Sequence, residues 1–340
     1  MTGPLERKIL KARDIHQPLF ATLEITQSCN LKCKHCYNFD RENSLPPTES
    51  SLSLKEIEAV LEDLALIGTI SLALTGGEPL LRKDLDSIIS IAMKLNFHIR
   101  VKSNGTLLDL ERAHQLKRLG VKEFDISLYG HNEKDYLAFT GKTGFQKTID
   151  AIKYLKEAKI IVNVGIILNR HNVEFLDHMV REMKSLEVQH QISDEITDRY
   201  DKTFATKAHA LTEEQYISLL NGPYANVFSH ENPDHHLMCG CAKTVVGINH
   251  LGEVFPCIGA PIPSGNIRTT RLSKIWKESP VLNKIRNYKS HDFIDCMNCS
   301  FIENCSRSSG SAFINTGKFT ACDPNALLHA KARKRVLTKD

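Results

Sequence analysis

Long apolar runs are missing from this chain of 340 residues. No stretch approaches the about 18 apolar residues of a membrane span, and the start "MTGPLERKILKARD" has no apolar signal-peptide core. A membrane protein and an exported one are therefore not expected, and a cytoplasmic location is. A strong charge of one sign is missing too. The 44 Lys and Arg stand against 40 Asp and Glu, a net +4, and no basic stripe carries interleaved aromatics. A nucleic-acid partner is not expected from that balance. There is one tryptophan, no internal repeat beyond an alternation described below, and no low-complexity tract. Cysteine is absent from residues 37 to 238, yet three lie at 29–36 and seven between Cys239 and Cys322. Thiols stay reduced in the cytoplasm, so two tight clusters there point to metal ligands rather than bridges.

What is present between residues 20 and 192 is a regular alternation of short β-like runs and amphipathic helical stretches. "FATLEIT", "ISLALTG", "HIRVKSNG", "EFDISLYG", "IIVNVGIIL" and "VQHQIS" read as six strands. Helical stretches such as "LKEIEAVLEDLALIG" and "FQKTIDAIKYLKEA" separate them. Successive βα units imply a parallel sheet with helices outside. The expected class is α/β, a partial (β/α)6 TIM-like barrel followed by a small cysteine-rich domain. The expected division is an N-terminal segment 1–19, the barrel 20–192, a bridging region 193–236, and 237–340 with the later cysteines and tail. One helix is expected there, near "SKIWKESPVLNKIRN". Without metal cross-links such a region is poorly stable.

Parallel architectures place their chemistry at the C-terminal ends of the strands. Cys29, Cys33 and Cys36 follow the first strand, and Gly76, Gly77, Glu78 and Pro79 the second. Ser103 and Asn104 follow the third, Ser127 and Tyr129 the fourth. Three cysteines are too few for a closed zinc site and too crowded for a disulfide framework. The spacing C-x3-C-x2-C can hold three irons of a four-iron cluster and leave the fourth open. This pattern resembles the signature of the radical S-adenosylmethionine (SAM) superfamily, and the resemblance extends over about residues 18–192. It implies a [4Fe-4S] cluster whose open iron binds SAM and whose electron cleaves it to a 5′-deoxyadenosyl radical. "TGGEP" resembles that family's SAM-amino-group loop, with two glycines for close approach and Glu78 for charge. The resemblance also places Asn104, Ser127 and the neighbouring Ser103 in the SAM pocket, and His35 where the backbone meets adenine. Many relatives read "SLDG" and carry a later arginine. Here the tetrad is "SLYG", and Lys142 is the candidate for the SAM carboxylate.

The later cysteines resemble the SPASM extension, which holds one or two auxiliary iron–sulfur clusters. Cys296, Cys299, Cys305 and Cys322 form a complete four-thiolate set in that resemblance. Cys239, Cys241 and Cys257 form an incomplete one, because Ser309 stands where a further cysteine is expected. That site has an open iron, takes Ser309 as an oxygen ligand, or is lost. A zinc ribbon is the alternative for all seven.

The resemblance implies an oxidoreductase that abstracts hydrogen from a ribosomally made (RiPP) precursor peptide, leaving a thioether or carbon–carbon crosslink. Only about twenty residues precede the first strand, so a separate leader-binding protein or direct peptide recognition is expected. An electron donor such as flavodoxin or ferredoxin is implied as well. The competing readings are a SPASM dehydrogenase or epimerase acting on a nucleoside or aminoglycoside, a sulfatase-maturase-like enzyme, and a nonenzymatic zinc module. Tyr129 is the candidate for substrate contact. No acid or base is identified.

Overall fold

A computed structural model describes residues 3–38, 51–201, 203–232 and 237–338. The bridging stretch 193–236 is thus described except at residues 202 and 233–236. Helix α1 (Pro4–Asp14) leads into strands β1 (Phe20–Thr26), β2 (Ser71–Gly76), β3 (His98–Ser103), β4 (Glu123–Leu128), β5 (Ile161–Ile167) and β6 (Gln189–Ser193). Each pairs in parallel with the next. The connections carry α2 (Leu54–Leu66), α3 (Leu85–Lys94), α4 (Leu110–Leu119), α5 (Glu133–Thr140), α6 (Phe145–Glu157) and α7 (Leu176–Ser185). The α/β class and the six parallel strands of a partial barrel are as expected.

Local chemistry explains the element ends. Ser53 and Glu56 form a reciprocal capping box at the start of α2, and Gly120 closes α4 with a φ of 103°. Along α2, Ile57, Val60, Leu61 and Leu64 are buried at helical spacing. They pack in one core with Leu23, Ile25, Leu72, Leu74, Ile99 and Val101 of the strands. Each fully buried side chain of this kind contributes about 1.5–3 kcal/mol. The alternate strand positions form a polar inner face. Arg100 reaches Glu123 at 2.6 Å and Lys102 reaches Asp125 at 2.7 Å across β3 and β4. Chemistry on that concave face needs no disturbance of the core behind it.

The sheet is longer than six strands. Strand β7 (Val245–Ile248) pairs in parallel with β1, and β8 (Val254–Phe255) pairs antiparallel with β7. The order is β6-β5-β4-β3-β2-β1-β7-β8. The cysteine-rich region therefore builds directly onto the barrel's first strand. Its helices, after α8 (Glu213–Leu220) and α9 (Ala225–Phe228), are α10 (Leu272–Glu278), α11 (Pro280–Asn287), α12 (Ile294–Met297), α13 (Ser309–Thr316) and α14 (Pro324–Leu337). The single helix expected at "SKIWKESPVLNKIRN" is two, α10 and α11. Pro280 occupies the first turn of α11, where its missing N–H costs nothing. Helix α14 is tied to the bridging region, with Arg333 Nη2 donating to Tyr216 Oη at 2.7 Å and Nε to the Phe228 carbonyl at 2.8 Å. Among the described residues no helix is long and apolar enough to cross a membrane.

Candidate active site and thiol clusters

The loop after β1 is held by neighbouring backbone. Lys32 N and Lys34 N donate to the carbonyls of Thr140 and Phe139 at 2.8 and 3.0 Å, at the end of α5. Asn30 donates to Thr106 Oγ1 at 2.7 Å and accepts from Asn104 Nδ2 at 2.9 Å. The loop after β3 thus braces the loop after β1. The glycine pair after β2 packs beneath both. A Cβ on Gly76 would stand 2.0 Å from the Thr26 carbonyl oxygen, and one on Gly77 2.2 Å from that of Ser28. Gly76 also has a φ of 129°. These glycines let the second strand's turn approach the backbone of the cysteine loop.

These loops surround a cavity of about 360 Å³. Cys29, Cys33, His35 and Cys36 line it from the first loop, with Gly76, Gly77, Ser103, Asn104, Ser127 and Tyr129 from the next three. Residues as far as 100 positions apart in sequence, Cys29 and Tyr129, are thus gathered at one edge of the sheet. His35 stacks on Phe139 at 4.9 Å and meets Tyr129 at 5.1 Å. Burial, with a smaller push from His209, lowers its pKa to about 4, so it is a neutral ring at physiological pH. Burial also raises the Tyr129 phenol well above its usual value.

Three expected pocket residues lie off this cavity's wall. Glu78 is 0% exposed and does not reach the cavity. Its carboxylate accepts from Ser103 Oγ at 2.8 Å, Asn104 N at 2.9 Å and Leu80 N at 3.1 Å. Burial raises its pKa, and those three donors oppose the rise. Its charge is spent on tying the β2 loop to the β3 loop. Pro79, in the turn that follows, is buried and outside the cavity wall. Lys142 is exposed beyond α5 and is not on the wall either.

Other wall residues had no sequence motif. Tyr37 and Lys102 line the cavity, as do Thr197 and Tyr200 from the bridging region and Ile258 and Gly259 from the cysteine-rich region. Tyr37 donates to Glu24 Oε1 at 3.0 Å, and Gln27 donates to Glu24 Oε2 at 3.3 Å. Glu24, in the middle of β1 between Leu23 and Ile25, is 1% exposed. A buried acid in a strand was the one available signal for this group.

None of the ten cysteines, all of them among the described residues, is in a disulfide. The later seven fall into two groups. Cys241 Sγ lies 3.1 Å from Cys257 Sγ, and Cys239 bonds to Cys241. That bond lowers the Cys239 thiol to about 6 and, with Cys257, pushes Cys241 up. Ser309 stands against Cys239. Because Ile258 and Gly259 line the first cavity, this group adjoins it through the residues after Cys257. Cys296, Cys299, Cys305 and Cys322 form the other group, near enough for the thiols to perturb one another. Among the described residues no three His, Cys, Asp or Glu side chains converge as they would on a single metal ion.

Residues 23–183 match the radical SAM superfamily, and residues 239–300 match SPASM, an iron–sulfur cluster-binding domain. The chain is 26% identical to an AdoMet-dependent heme synthase of Oleidesulfovibrio alaskensis, covering 88% of this chain and 85% of that protein. It is 23% identical to a PqqA peptide cyclase of Granulibacter bethesdensis, covering 92% and 88% respectively. In fold it resembles Streptococcus suis SuiB bound to its precursor peptide SuiA, with a TM-score of 0.65 over 96% of this chain and 81% of that one, at 17% identity. The chain belongs to the radical SAM superfamily and carries a C-terminal SPASM domain, an enzyme whose cofactors are a [4Fe-4S] cluster, SAM and auxiliary iron–sulfur clusters.

Proposed function

We propose that this enzyme abstracts hydrogen from a ribosomally made precursor peptide and leaves an oxidative crosslink. Cys29, Cys33 and Cys36 hold the SAM-binding cluster in this reading, and Gly76, Gly77, Ser103, Asn104, Ser127 and His35 line the SAM pocket. The later cysteines hold the auxiliary clusters, Cys239, Cys241 and Cys257 in one and Cys296, Cys299, Cys305 and Cys322 in the other. The division into 1–19, 20–192, 193–236 and 237–340 belongs to the same proposal. Bound together, the first cluster and SAM supply a carbon radical able to take hydrogen from an unactivated carbon. The chain's own residues position the substrate and exclude water.

One observation carries the peptide reading. A second cavity, of about 210 Å³, shares Tyr129 with the first and is lined by Lys34, Phe139, Asn169 and His171 among others. Asn169 is 1% exposed, and its Nδ2 is buried with no hydrogen-bond partner. An unspent amide donor beside the reaction cavity suits a peptide carbonyl, which would remove the cost of leaving it unpaired. Tyr129 stands where the substrate passes from one cavity to the other. A separate leader-binding protein, a flavodoxin or ferredoxin donor and a cytoplasmic location go with this reading.

The similarity to heme synthases favours a second reading, a tetrapyrrole substrate, for which His171 on the second cavity's wall offers an imidazole. Mass analysis of a precursor peptide encoded beside the gene, with and without the anaerobic enzyme and SAM, tests the choice. Loss of hydrogen pairs from the peptide supports the proposal. An unchanged peptide beside a modified iron porphyrin overturns it.

A further inference from the structure

The three-cysteine auxiliary site has a fourth protein atom in place. Helix α13 begins at Ser309, and its next residue, Gly310, lies on the turn that follows Cys257. A Cβ on Gly310 would stand 2.0 Å from the Gly259 carbonyl oxygen, so only glycine lets the helix start come this close. That contact brings Ser309, 2% exposed, to the thiols. Its hydroxyl donates to Cys239, Cys239 meets Cys241, and Cys241 lies 3.1 Å from Cys257. Three sulfurs and one oxygen form a contiguous set.

The commonest employment of a serine at a helix start is capping, and here that task is filled. Ser308 is the cap residue, and its Oγ accepts from Ser311 N at 3.3 Å. Ser309 instead accepts from Arg307 Nη1 at 2.7 Å. The guanidinium is fixed by its remaining donors, Nε to the Ala321 carbonyl at 3.0 Å and Nη2 to the same oxygen at 2.8 Å. A rigid cation beside a buried hydroxyl favours negative character on that oxygen, which iron binding requires. Arg307 also bonds to the Cys296 thiol of the other set. One side chain therefore touches both auxiliary sites.

We propose that Ser309 is the fourth protein ligand, through Oγ, of the auxiliary cluster held by Cys239, Cys241 and Cys257. The proposal rests on the assignment of those cysteines to an auxiliary cluster and not on the peptide reading. An oxygen ligand is harder than a thiolate and favours the oxidised iron, so this cluster is harder to reduce than an all-cysteine one. It also closes the cluster against direct coordination by substrate.

The test uses protein in which Cys29, Cys33 and Cys36 are Ala, so that only auxiliary sites fill on anaerobic reconstitution. Iron and sulfide counts, Mössbauer and EPR spectra, and potentiometry are compared for Ser309, S309A and S309C. The expected parent holds two four-iron clusters. S309A loses one iron and shows the EPR signal of an oxidised three-iron cluster, with the Cys296 cluster unchanged as the internal folding control. S309C keeps all its iron, with one cluster shifted to a higher potential. Eight irons and an unchanged spectrum in S309A overturn the proposal, as does a parent with a single cluster. Should S309A lose both clusters through misfolding, S309C decides alone, since an unchanged potential there overturns the assignment.

Discussion

Replacing Glu78 with Ala tests how the reaction cavity is built. The carboxylate is wholly buried and accepts three hydrogen bonds, two of them from the backbone N–H groups of Asn104 and Leu80. Ser103 can turn its hydroxyl elsewhere, but the two N–H groups cannot move without moving their loops. Each buried donor left unpaired costs about 1–3 kcal/mol. Relief from burying a carboxylate, whose pKa is raised by desolvation, offsets part of this. A net loss of about 2–4 kcal/mol remains. In a chain this size about 1 kcal/mol shifts the melting midpoint by roughly 2 °C, so the drop should be roughly 4–8 °C. The assay is anaerobic thermal unfolding of the cluster-loaded protein, paired with equilibrium dialysis of SAM. An unchanged midpoint with sharply weakened SAM binding would refute the reasoning, because it would put the carboxylate on the ligand instead of on the loops.

The backbone beneath the cysteine loop gives a second test. G77A puts a Cβ 2.2 Å from the Ser28 carbonyl oxygen, so the loop must move. Overpacking of this kind costs about 1–3 kcal/mol, and iron bound by Cys29, Cys33 and Cys36 should fall while auxiliary iron stays. Y37F removes the 3.0 Å bond to Glu24 and should lower stability by about 1–2 kcal/mol, read as a lower melting midpoint. Glu56 responds to pH. Burial alone would raise its pKa, but bonds from Ser53 and Arg268 outweigh it and hold the pKa at about 2. Its contribution is therefore full above the ordinary carboxylate value and is lost as pH falls toward the folded one. E56Q should melt below the parent at neutral pH, with the gap closing in acid.

The sheet and the thiols were legible because their signals are local. Alternating burial marks β5 and β4, and three cysteines in eight positions need no partner elsewhere to be noticed. Strand β7 was not legible, since its four residues, Gly247 among them, carry too little periodicity and gain their place only by pairing with β1. The partners of Glu78 were not legible because a carboxylate after two glycines looks the same whether it faces a ligand or the Asn104 amide. The wall residues Thr197 and Tyr200 sit in an irregular stretch whose return over the strand ends is a tertiary event. Ser309 was visible only as a departure from a pattern, and its contact with Cys239 required the folded chain.

The central claim is that Cys29, Cys33 and Cys36 form the site of SAM chemistry, separate from the later seven cysteines. The direct measurement is 5′-deoxyadenosine formed from SAM under dithionite by the parent and by the C29A/C33A/C36A variant, with iron counted in both. The account expects product from the parent, none from the variant, and auxiliary iron retained in the variant. Undiminished 5′-deoxyadenosine from the triple variant would contradict it.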